Sequence, residues 1–195
     1  MYHLQRHNGL IIDKNFYGMI LNSTAKLTTN DANKQTITMN NELKNYIERL
    51  TENYNGDPWY GRPLLSILNE VGSLNAWGQK VNNNHTNTTL LRHIVLWRLF
   101  TISRFKPDAV ETTIYFDDNN WQTINNPSKE DWERSMAELA NSQQELLRII
   151  STANGSMLDE QVPGRTYTFR YLLNGLIEHD IYHTGQIMLS IKKNA

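Results

Sequence analysis

Residues 88–105 read Thr-Thr-Leu-Leu-Arg-His-Ile-Val-Leu-Trp-Arg-Leu-Phe-Thr-Ile-Ser-Arg-Phe. Leu90, Leu91, Ile94, Val95, Leu96, Trp97, Leu99, Phe100 and Ile102 put apolar groups on nearly every side of a helix over this stretch. A helix wet along one side carries a polar stripe there. None is visible, so this helix is expected to be covered on two sides, at a bundle centre or at a subunit interface. His93 sits in line with Leu90, Trp97 and Phe100. An imidazole in such surroundings is either a neutral core residue with one hydrogen bond or a metal ligand.

Working outward, Leu43, Tyr46, Ile47 and Leu50 recur at helical spacing and predict a helix over about 41–54. Asn55-Gly56-Asp57-Pro58 ends it, because proline lacks the amide donor and glycine tolerates unusual backbone angles. A shorter helix is expected over about 63–71, with Pro63 in its first turn and Leu64, Ile67, Leu68 and Val71 on one face. Residues 72–87 are polar and loop-like. Residues 106–127 show no helical period, and Thr112 to Phe116 read as extended. So long a connection suits a bundle with a crossover. Ser128-Lys129-Glu130-Asp131 resembles an N-cap followed by acidic first-turn residues, and that helix stops near Asn154-Gly155. The last helix is expected from about Thr166 to Lys192. Four long helices with almost no strand predict an all-α bundle over 39–195. Residues 1–38 have no sustained period and read as an N-terminal extension, ordered only if it docks on the body.

The last helix carries the sharpest chemical signal. His179 and His183 stand at i and i+4, about 400° of rotation and about 6 Å of rise apart, so both imidazoles leave one helix face. They continue the apolar stripe through Leu172 and Leu176, which points them inward, where an imidazole needs a partner. With His93 they make three interior histidines on two helices, and three protein ligands leave a divalent metal open to water or substrate. Imidazole suits Zn, Ni, Cu and Fe alike, so the ligands do not name the metal. Gln186 returns to the ligand face three residues after His183, and Tyr182 offers a hydroxyl at the rim. Both are candidate catalytic residues that orient nucleophile or substrate, while Trp97, Trp59 and Tyr60 are candidate pocket walls. Asp180 is either an acceptor behind a ligand or a surface charge. His85 lies in an asparagine-rich loop and is expected in solvent, and His3 and His7 are read as incidental.

These residues resemble the DinB-like family of metal-binding four-helix bundles, over about 40–192. The resemblance is carried by Gly56-Asp57-Pro58-Trp59-Tyr60-Gly61 with Leu64 and Leu68, by His93-Ile94-Val95-Leu96-Trp97, by Asp131-Trp132-Glu133, and most specifically by His179-Asp180-Ile181-Tyr182-His183-Thr184-Gly185-Gln186-Ile187. It implies a bundle with a long crossover between its second and third helices, metal ligands at His93, His179 and His183, and a homodimer. It also implies a metal-dependent hydrolase, or an S-transferase or isomerase using a low-molecular-weight thiol such as bacillithiol or mycothiol. It says nothing about the first 38 residues.

Composition narrows the alternatives. A net charge of −1, from 19 basic and 20 acidic side chains with no basic stripe, implies neither nucleic acid nor an anionic membrane as partner. The chain contains no cysteine, so thiolate ligands and a cysteine nucleophile are excluded, which fits a cytoplasmic setting. With the resemblance, the expected function is activation of a small thiol or water against a small-molecule substrate. The alternative is a non-catalytic metal- or ligand-binding module, for example in a stress response.

Overall fold

The computed structural model describes residues 41–82, 84–106, 113–121, 124 and 126–192. The expected extension 1–38 with His3 and His7, and Thr112, lie outside the described residues. Among those described, the elements are α1 (Asn41–Asn55), α2 (Leu64–Ser73), α3 (Asn87–Arg104), α4 (Thr113–Asp118), α5 (Lys129–Thr152), a 3-10 turn (Gly155–Asp159) and α6 (Phe169–Lys192). The expected all-α bundle is what is observed. The four longest helices, α1, α3, α5 and α6, form it, and α2 lies against α1 and α6.

The termini follow local chemistry. Gly56 closes α1 with its amide on the Glu52 carbonyl, and a Cβ there would come within 2.7 Å of the Glu52 Cα. Pro63 is the residue just before α2, one position earlier than expected. Thr86 caps α3 by accepting from the Thr89 amide at 3.2 Å. At α5, Ser128 and Asp131 cap each other reciprocally, satisfying two amide donors that a helix start leaves free.

Helix α3 is the central element. Every residue in it except Trp97 is buried. It packs on α5 and α6 within the chain, which realises the bundle-centre reading and removes the argument for covering α3 with a second subunit. The helix is not as apolar as its hydrocarbon residues suggest, because Arg92, Arg98 and Arg104 are buried as well. They are spaced six apart, so successive side chains turn by about 240° and point in three different directions. Arg92 faces the field of Glu138 and Asp131. Arg104 covers the Phe100 ring at 4.6 Å and donates to the Pro163 carbonyl at 3.2 Å. Arg98 points into the bundle interior, where it is 0% exposed.

The crossover departs from expectation in one respect. Thr113–Asp118 is a short helix, not an extended segment. Its Phe116 is buried and packs edge-on against Phe100 of α3 at 5.4 Å, which anchors this part of the crossover on the bundle. No helix among the described residues is long and apolar enough to cross a membrane.

Candidate metal centre

Helices α3 and α6 bring His93, His179 and His183 together as expected, with one nitrogen of each within 4.8 Å of the others. His93 and His183 are buried, and His179 is half-buried. His93 Nε2 and His179 Nε2 stand 2.9 Å apart. Burial pushes His93 down to about 3 and His183 down to about 4, so both rings are neutral at ordinary pH and keep a lone pair for a cation.

The backs of the rings decide which nitrogen is bare. His93 Nδ1 lies 2.9 Å from the Asn120 carbonyl oxygen, which can only accept, so Nδ1 carries the proton and Nε2 does not. His183 Nδ1 lies 2.8 Å from Gln186 Oε1, and the Gln186 amide nitrogen donates to the Tyr182 hydroxyl at 2.9 Å. That arrangement protonates His183 at Nδ1 too and leaves its Nε2 bare.

His179 supplies the test of whether a metal fits. Its Nδ1 and the Oδ1 of Asp180 are 3.8 Å apart, and both are buried without a hydrogen-bond partner. For a neutral His179 ring without a cation, Nε2 donates to His93 Nε2 and the Nδ1 lone pair faces a carboxylate. A cation held by the three rings would take the Nε2 lone pair and leave the His179 proton on Nδ1, facing Asp180. The metal form thus removes two conflicts at once, and an all-imidazole donor set suits a divalent transition ion.

Asp180 itself is 0% exposed, so the surface-charge alternative is wrong. Its Oδ2 accepts from Arg98 at 2.6 Å, Arg98 also donates to Gln143 Oε1 at 2.6 Å, and Gln143 donates to the Leu50 carbonyl at 3.3 Å. One buried network therefore ties α1, α3, α5 and α6 directly behind His179.

Other expectations fare differently. Gln186 and Tyr182 do reach the centre, as a relay behind His183, with Tyr182 62% exposed at the rim. Trp97 stands beside His93 and His179. Trp59 is not a wall, since it is fully exposed. Tyr60 is tied to Asn53, and burial raises its hydroxyl to about 12, so it stays protonated. His85 is not free in solvent. It is half-buried and stacks on Trp121 at 4.3 Å, and Trp121 stacks on His93 at 3.6 Å with the planes 10° apart.

Trp121, Asn120 and Arg98 are the residues that sequence reasoning missed. Asn120 serves twice, its carbonyl on His93 and its side-chain oxygen accepting from Trp97 Nε1 at 3.0 Å. The available signal was a tryptophan closing the polar run Asp117-Asp118-Asn119-Asn120 inside the crossover. Beside His179 a cavity of about 200 Å³ opens between α3 and α6, with Trp97, Tyr167, Tyr171, Gly175 and Leu176 among its walls.

Residues 25–187 match the family model described as the DinB superfamily, a match that begins inside the segment read as an extension. No curated protein and no solved structure matches the chain.

Proposed function

We propose, starting from the fact that the chain belongs to the DinB superfamily, that it is a metal-dependent enzyme activating a low-molecular-weight thiol or water against an electrophilic small molecule. The observation that carries this is the convergence of His93, His179 and His183 with two back nitrogens already fixed by Asn120 and Gln186. A divalent ion such as Zn²⁺ or Ni²⁺ held there supplies Lewis acidity, which favours the anionic form of a thiol or water at neutral pH. Three neutral imidazoles leave the ion's charge uncompensated, which is why an anion is the favoured partner.

The chain's own residues do the rest. Asn120 and Gln186 hold the tautomers of His93 and His183. Tyr182 accepts from Gln186 and keeps its own hydroxyl proton, which it can donate to a substrate at the exposed rim. The chain has no cysteine, so a thiol nucleophile comes from a cofactor such as bacillithiol, in a cytoplasmic setting where small thiols stay reduced. A homodimer belongs to the proposal through the family resemblance alone, and light scattering at twice the chain mass checks it.

The test is metal analysis of protein purified without a histidine tag, followed by turnover of an electrophile panel with and without added thiol. An S-transferase is saturable in thiol, whereas a hydrolase is indifferent to it. Activity of either kind disappears in His183→Ala. Absence of turnover above that of free metal replaces this reading with the binding-module one.

A further inference from the structure

We propose that the cavity beside His179 is a subsite for an aromatic ring, so that the small molecule acted on at the centre carries an aryl group next to its reacting atom. This rests on the enzymatic reading above and names its substrate class.

Position comes first. Trp97 lies one turn after His93 on α3, and Gly175 and Leu176 lie one turn before His179 on α6. The cavity is thus the direct continuation of the face that presents the histidines, and His179 is part of its wall. A group lodged in it lies against His179, one of the three candidate ligands.

Size comes second. An apolar cavity of about 150 Å³ holds a benzene molecule. The 200 Å³ here is room enough for a substituted or fused ring.

Chemistry decides between an apolar and a polar occupant. Most polar groups on the walls are already spent, which leaves the Tyr171 hydroxyl at the exposed rim and the ring of His179. Trp97 Nε1 donates to Asn120, the Thr101 hydroxyl donates to the Trp97 carbonyl at 2.9 Å, and Tyr167 is engaged by Arg165. Away from Tyr171 and His179, a polar group entering the cavity would lose its water and gain no partner. Shape then favours a ring over an alkyl chain. Tyr167 and Tyr171 are 5.2 Å apart at 41°, and with Trp97 they offer aromatic surface on which a flat group stacks. Gly175 leaves the helix surface open, with no heavy atom within 4 Å of where a Cβ would stand. A rigid ring also surrenders fewer rotamers than a chain of equal volume.

Calorimetric titration of the metal-loaded full-length protein with indole, and with glycerol as the polar control, tests this. Indole is expected to bind and glycerol not. Gly175→Leu fills the cavity and is expected to weaken indole by about tenfold or more, about 1.4 kcal/mol, with metal content unchanged. Tyr171→Ala removes an exposed wall, 68% accessible, and keeps the comparison alive if Gly175→Leu does not fold. It is expected to weaken indole several-fold. No indole binding to the wild type overturns the proposal, and that is also the result if a second copy or the N-terminal segment fills the groove. Equal indole affinity in wild type and both variants overturns it as well. The two readings fail separately. Indole binding without stoichiometric metal keeps the subsite and removes the enzymatic reading. Turnover of aryl and methyl electrophiles alike, unchanged in Tyr171→Ala, keeps the enzyme and removes the subsite.

Discussion

Two groups of buried polar residues sit side by side on α3 and α6 and are built on opposite principles. Arg98 and Asp180 are opposite charges, both 0% exposed, joined at 2.6 Å and extended through Gln143 to α1. His93, His179 and His183 are three like acceptors whose facing nitrogens cannot all satisfy one another. Asp180 adjoins His179 in the chain, so the two groups share a boundary at one unpartnered Nδ1 and one unpartnered Oδ1. The first group pairs its charges within the fold and leaves only Arg98 Nε and the Asp180 oxygen facing His179 without a partner. The second is left incomplete by the protein and is able to hold a cation.

The largest expected effect tests the closed group. Replacing one member of a buried pair strands the other charge, a loss of about 3–5 kcal/mol. Arg98→Met is expected to lower unfolding stability by that amount in urea denaturation of the metal-free protein. Arg98→Met with Asp180→Leu should recover a large part, since a well-packed apolar pair can replace a buried ion pair at little cost. A single variant as stable as the wild type would break the distinction between the two groups.

The next effect tests the open group. Each of His93→Ala, His179→Ala and His183→Ala is expected to lower metal affinity by at least about 100-fold, or about 2.7 kcal/mol. The expectation follows because three ligands leave none to spare. His85→Ala retains the metal, because Trp121 stands between His85 and His93. Elemental analysis after dialysis reads all four variants, and full stoichiometry in His93→Ala would remove the site.

How much of this contrast was legible in the sequence depends on how local each signal is. His179 and His183 announce themselves because i, i+4 spacing is a property of one helix. His93 was conspicuous as an imidazole inside an apolar run. The Arg98–Asp180 pair joins residues 82 positions apart, and nothing in either helix alone says that they meet. The arginines of α3 were hidden by their spacing, which spreads them over three directions and leaves no polar stripe. Trp121 and Asn120 lie in an aperiodic connection, where position depends on how the chain crosses the bundle. Thr113–Asp118 is too short, at 6 residues, to display a period. The same pattern explains the fate of Trp59, whose motif looked like a pocket wall and whose side chain points to solvent.

A third effect separates the groups by pH. Burial holds His93 at about 3 and His183 at about 4, below the ordinary histidine value of 6.5 that the unfolded chain shows. Between pH 4 and 6.5 the unfolded chain therefore binds protons that the folded chain excludes, and stability falls as pH falls. From pH 7 to 5.5 the metal-stripped protein is expected to lose on the order of 2 kcal/mol. His93→Phe with His183→Phe should flatten that slope. An unchanged slope in the double variant would assign the acid sensitivity to other groups.

The smallest effect concerns why α6 tolerates glycine near the open group. Gly175 and Gly185 both lie within α6, and a Cβ at either would have no heavy atom within 4 Å. Neither has a positive φ, so neither is a glycine for backbone reasons. Helix propensity then predicts that alanine stabilises at both positions, by up to about 1 kcal/mol, because glycine gives up more backbone entropy on folding. The two should differ in what else they change. A methyl at Gly175 enters the cavity beside His179, whereas Gly185 is not among the residues that line it. Gly175→Ala is thus expected to raise the urea midpoint and slightly weaken indole, while Gly185→Ala raises the midpoint alone. If both variants raise the midpoint and neither changes indole affinity, the space at Gly175 is not used by the ligand. If Gly175→Ala lowers stability, α6 packs more tightly there than the open Cβ position allows.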